Sequence, residues 1–154
     1  MPNDLIVAAA QFENRSGDKA FNLATMEKLA ARAAIQGANV IAFHECSVTG
    51  YTFARRLSRE QLWDLAETIP GGASIDALRM IARRHALTVL AGLFERGDDG
   101  ELYNTYVCVN SGGACARRPD VPAPASSIPC CGSIGRTMHR CCVPNSTVPR
   151  AVRG

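Results

Sequence analysis

Two short, unbroken apolar runs constrain this chain most: Leu5 to Ala10 (Leu-Ile-Val-Ala-Ala-Ala) and Val40 to Phe43 (Val-Ile-Ala-Phe). Each is too short for a buried helix and carries no polar residue, as expected of a strand buried on both faces. Between them lies a segment of helical character. Ser16-Gly17-Asp18 supplies a turn with Asp18 as N-cap, Leu23, Met26, Ala30 and Ala33 recur at helical spacing over residues 19–36, and Gly37 is a natural stop. A strand, a helix and a second strand imply parallel neighbours with the helix packed on the sheet. In such sheets reactive groups collect beyond the carboxyl ends of the strands. His44 and Glu45 follow the second run at once, before Thr49-Gly50-Tyr51. A carboxylate just past a buried strand is costly unless it is paired or in use.

The remaining elements continue the α/β pattern. Ser58-Arg59-Glu60-Gln61 forms a capping box for a short helix to about Glu67, and Pro70-Gly71-Gly72 breaks the chain. Ile75, Leu78, Ile81 and Ala82 mark another amphipathic helix, with Arg83, Arg84 and His85 at the negative end of its dipole. Thr88–Phe94 and Leu102–Val109 read as an antiparallel hairpin across Arg96-Gly97-Asp98-Asp99-Gly100. No G-x-G-x-x-G follows the first strand, so a dinucleotide fold has no support.

Composition changes near Gly113. Every aromatic residue, leucine, lysine and glutamate precedes it, whereas six arginines and one acid, Asp120, follow. The tail therefore has a net charge of +5 and the body −2, which together give the stated +3. A basic pI confined to a proline-punctuated tail, without a basic face on the body, argues against nucleic acid as a partner. The start carries Asp4 instead of a basic segment, and no apolar run approaches the roughly 20 residues of a membrane span. The expected location is cytoplasmic, with reduced thiols and no membrane partner.

The expected division is residues 1–113 as a folded unit and 114–154 as an irregular tail. Cys130-Cys131 and Cys141-Cys142 flank His139, but adjacent cysteines suit zinc poorly, so no metal and no cofactor is expected. The Arg/Pro/Ala/Cys/Ser bias of the tail resembles an out-of-frame reading of a GC-rich gene. The downstream nucleotide sequence tests this: one alternative frame after Gly113 should encode an R-K-x-H-like continuation.

Four stretches then carry a resemblance: Val7-Ala8-Ala9-Ala10-Gln11; Phe43-His44-Glu45 with Thr49-Gly50-Tyr51; Ala91-Gly92-Leu93-Phe94-Glu95; and Leu102-Tyr103-Asn104-Thr105. In order and spacing, residues 4–113 resemble the first part of a nitrilase-superfamily carbon–nitrogen hydrolase, with histidine at position 44 where members usually carry proline. The resemblance implies an α-β-β-α sandwich, here incomplete, usually assembled into oligomers, so a homo-oligomer is expected. It implies hydrolysis of a small amide, carbamoyl compound or nitrile by a glutamate, a lysine and a cysteine. A thiolate attacks carbon, so a base must reach the thiol, and the oxyanion needs fixed positive charge or N–H donors.

By resemblance, Glu45 is the general base. Glu95 is similar to a second acid near these sites, and Tyr51 and Asn104 give packing and hydrogen-bonding support. The lysine belongs in a segment resembling Y-R-K-x-H, yet the chain has none after Lys28; Arg117 or Arg118 lies near that position, and Pro119 is expected to disturb the strand. No tail cysteine has the context of the nucleophile, and Cys46 and Cys108 read as small buried hydrophobes. The alternative is therefore a catalytically inactive truncated or frame-shifted fragment, or a pseudo-enzyme binding module.

Overall fold

The computed structural model describes residues 4–119 of the chain. The order is β1 (Val7–Ala10), α1 (Lys19–Ile35), β2 (Val40–Phe43), a 3-10 turn (Thr52–Arg56), α2 (Arg59–Leu65), α3 (Ala73–His85), β3 (Thr88–Arg96), β4 (Leu102–Val109) and β5 (Cys115–Pro119). The five strands form one sheet in sequence order; β1, β2 and β3 are parallel, and β3, β4 and β5 antiparallel.

The caps act as the sequence leads one to expect. Asp18 accepts from the Phe21 backbone N–H, and the Ser58–Gln61 capping box closes in both directions. Gly37 follows α1 in the left-handed region, where a residue without Cβ meets no steric cost.

Register divides the sheet into two faces. Ile41, Val89, Ala91, Leu93 and Val107 share one face and pack under Met26, Ala30 and Ala33 of α1 and Ile75, Leu78 and Ile81 of α3. The other face carries Val7, Ala9, Val40, Ala42, Leu90, Tyr106 and Cys108. Its carboxyl end is covered by a second cluster, in which Phe94, Leu102, Cys46, Ala54 and Ala66 meet Trp63 and Leu62. The remainder of that face is half-buried or exposed. We call these the helix face and the open face. The described residues thus form one helical layer and one sheet of a mixed α/β fold.

Strand β5 corrects one expectation. Residues 114–154 were expected to be irregular, with Pro119 disturbing the strand, yet Cys115–Pro119 pairs with β4 from Val109 to Thr105. Proline is tolerated at the end of an outermost strand, where a missing N–H breaks no interior ladder. Residues 120–154, with the Cys130-Cys131 and Cys141-Cys142 pairs and His139, lie outside the described residues, as does the question of reading frame.

Candidate active site

The chain turns sharply after β2, and the residues of that turn are held from three sides. Val48 N–H donates to the Gly92 carbonyl at 3.0 Å, and Gly50 N–H to the Cys46 carbonyl at 2.8 Å. The wholly buried Asn22 of α1 donates to the Val48 carbonyl at 2.9 Å. Cys46 adopts φ 48°, in the left-handed region, which costs a non-glycine residue free energy. The turn lies so close to β3 that a Cβ on Gly92 would stand 2.3 Å from Cys46 N. An isolated glycine inside a strand is the sequence signal for such an approach.

Glu45 is exposed at this turn, and its Oε1 accepts from Asn104 Nδ2 at 2.5 Å. Asn104 belongs to the open face, paired in register with Phe94. Its Oδ1 accepts from Cys46 Sγ at 3.2 Å. Tyr106, opposite Gly92, donates its hydroxyl to the Phe43 carbonyl at 2.5 Å. Burial first, and the neighbouring Cys108 second, push that phenol up to about 12, so it stays a neutral donor at physiological pH. Tyr51 packs on the cluster of Phe94 and Trp63 as the residue leading into the 3-10 turn. Glu45, Asn104 and Tyr51, singled out from sequence, therefore share one end of the sheet. Cys46 and Tyr106 join them without having been singled out for the site.

Glu95 goes elsewhere. It is fully buried and shares the helix face with Thr105, whose hydroxyl donates to Oε2 at 2.6 Å. Arg117 of β5 forms an ion pair with Oε1, without a well-directed hydrogen bond. Neighbouring strand residues point to opposite faces, so Thr105 holds Glu95 on one face while Asn104 holds Glu45 on the other. Arg117, near the position expected for a lysine, spends its charge on Glu95.

A second buried acid escaped the sequence reading. Glu67 accepts from Lys19 Nζ at 2.6 Å, from Ser74 Oγ at 2.6 Å and from Ser74 N–H at 2.7 Å. Burial pushes its carboxyl up, but the hydrogen bonds from Lys19 and Ser74 and the Lys19 charge outweigh it, so the group titrates below the usual range. Lys19 is thereby occupied away from Glu45. Among the described residues no three His, Cys, Asp or Glu side chains gather as a metal site, and no helix is long and apolar enough to cross a membrane.

Comparison with known proteins bears on this geometry. The family model described as carbon-nitrogen hydrolase matches residues 6–120. The chain is 35% identical over 92 residues to a nitrilase of Pyrococcus abyssi, covering 60% of this chain and 34% of that protein. It is 31% identical over 121 residues to an arylacetonitrilase of Macrophomina phaseolina, covering 74% and 35%. The fold is similar to that of an N-terminal amidase, with a TM-score of 0.62 at 20% identity over 75% of this chain and 28% of that one. It is also similar to an amidase from Nesterenkonia sp., with a TM-score of 0.60 at 25% identity over 79% and 44%. The chain spans about a third of the length of the curated relatives it matches.

Proposed function

The chain belongs to the carbon–nitrogen hydrolase family, and from that premise we propose that it serves hydrolysis of a non-peptide carbon–nitrogen bond in a small amide, carbamoyl compound or nitrile, with Glu45 as general base. The observation that carries this reading is the Glu45 carboxylate at the carboxyl end of β2, with one oxygen fixed by Asn104 and the side chain open to solvent. A base of this kind takes a proton from a thiol and later activates water. Relatives named as nitrilase and arylacetonitrilase support the substrate class. A cytoplasmic setting with reduced thiols and assembly as a homo-oligomer complete the proposal.

Specific observations favour a second reading, in which this chain is an inactive module. Lys19 is engaged by Glu67, Arg117 by Glu95 on the opposite face, and the thiol beside Glu45 is fully buried. Among the described residues, Glu45 therefore pairs with no lysine, and the thiol beside it is not accessible. Assaying the purified chain against a panel of small amides and nitriles separates the readings. Turnover that Glu45→Gln reduces by at least about 100-fold supports the base assignment, in line with the usual worth of acid–base catalysis. No turnover in the wild type supports the inactive module.

A further inference from the structure

We propose that Cys46 is a positioning residue, whose thiol pins the Asn104 amide in the one orientation that presents its N–H to Glu45. The significance for catalysis rests on the reading of Glu45 as a base; the pin itself does not. An asparagine amide has a donor end and an acceptor end, and it can be turned over at little cost when its neighbours do not choose between them. Here Glu45 chooses, and the thiol secures the choice. An ionised carboxylate only accepts, so the 2.5 Å contact to Glu45 requires the Nδ2 end. The thiol is a donor, and its 3.2 Å contact to Oδ1 engages the opposite end. Turning the amide over would set two acceptors against each other at Glu45, and would exchange the S–H bond to Oδ1 for an N–H contact to sulfur, a weak acceptor.

The backbone of Cys46 gives the pin its rigidity. Its carbonyl accepts from Gly50 N–H at 2.8 Å and from Asn14 Nδ2 at 3.2 Å, and its N lies against the Cα of Gly92. Its side chain is wholly buried within the cluster of Phe94, Ala54 and Leu102. That placement uses the left-handed φ of 48°, a conformation that surrounding structure must hold in place. The strain, the close glycine and the burial together aim a small donor at Oδ1. Fixing Asn104 fixes Oε1 of Glu45, and among the described residues no hydrogen bond occupies Oε2. One oxygen is thus held while the other is left for a reacting group. Cys46 is more than a small apolar filler, and it acts through Asn104 without touching a substrate.

The test is the side-chain amide spectrum of Asn104 in the ¹⁵N-labelled full chain, at a pH where carboxylates are ionised. In the wild type, one Nδ2 proton should lie downfield of ordinary asparagine amides and exchange with solvent at least about tenfold more slowly. Glu45→Gln should abolish the downfield shift and so identify the signal. Cys46→Ala should return the exchange rate towards that of a solvated amide, whereas Cys46→Ser, which keeps a donor, should preserve the protection. An ordinary, fast-exchanging amide in the wild type overturns the pin without any variant. Unchanged protection in Cys46→Ala overturns it as well. The spectrum does not depend on turnover: a protected amide in an inactive wild type supports the pin while removing the base assignment. If the wild type is active, Cys46→Ala should lower kcat about tenfold with little change in KM, and Cys46→Ser should restore it.

Discussion

Gly92 is the residue on which the site depends most. A Cβ there would meet Cys46 N at 2.3 Å and Glu45 C at 3.1 Å, both backbone atoms that no side-chain rotation can move aside. Gly92→Ala should therefore push the 44–48 turn off β3 and cost about 1–3 kcal/mol, the usual range for overpacking. A urea unfolding curve measures it, and an unchanged midpoint would show that the turn yields freely. Glu95 poses a different question. Its carboxylate is fully buried, with Thr105 on one oxygen and Arg117 on the other. Arg117→Met removes the cation from a buried acid and should destabilise by roughly 1–3 kcal/mol, short of the full cost of a broken buried pair because Arg117 is 44% exposed. In a double-mutant cycle with Glu95→Gln, the two losses should fail to add.

At the scale of elements, the link between α2 and α3 is fastened to the rest by one acid. Glu67 joins Lys19 at the start of α1 to Ser74 at the start of α3, while its backbone bonds to Phe94 and Arg96 of β3. Its carboxyl is held below the usual range, because the Lys19 and Ser74 interactions outweigh the opposing effect of burial. A group depressed in the folded state contributes stability above its unfolded value and loses it as pH falls through the folded value. Wild-type stability should therefore decline as the medium is acidified through and below the ordinary glutamate range, and Glu67→Gln should flatten that decline. Urea midpoints across this pH interval provide the check; parallel curves would remove Glu67 as the source. The capping box on α2 belongs to the same scale: Ser58→Ala should cost about 1 kcal/mol, since Ser58 Oγ satisfies Gln61 N–H.

For the whole molecule, the two sheet faces are unequal. The helix face is closed by α1 and α3, whereas Val7 on the open face is 41% exposed and Leu90, Ala42 and Cys108 are half-buried. Away from its carboxyl end, where Arg96 and Glu45 lie, the open face of β1 to β4 carries no charged residue, which leaves an apolar patch for a second copy. The chain should self-associate through this face. Leu90→Asp, which leaves the helix face untouched, should shift sedimentation towards monomer, and an unaltered distribution would point to a different contact.

The order of elements was legible in the sequence because each depends on local chemistry. The apolar runs at residues 5–10 and Val40–Phe43 each gave a strand, and the cap at Asp18 and the box at Ser58 formed as their residue types require. The first strand begins only at Val7, however, and neither strand is buried on both faces, because no second layer covers the open face there. Strand β5 was not legible, because Cys115–Pro119 has no periodicity of its own and takes its form from pairing with β4. Glu45, Tyr51 and Asn104 were recognisable as a set through their resemblance to a family, and pairing across the sheet brought Asn104 onto Glu45. The alternation of side chains along β4 put Thr105, and with it Glu95, on the other face. By itself, then, the sequence determined the elements, the family and an acid at the end of a strand, because these depend on neighbours in the chain. Only the tertiary structure decided which acid stays exposed, which is neutralised by Arg117 and which asparagine a buried thiol holds, because those contacts join residues far apart in sequence through strand register and packing.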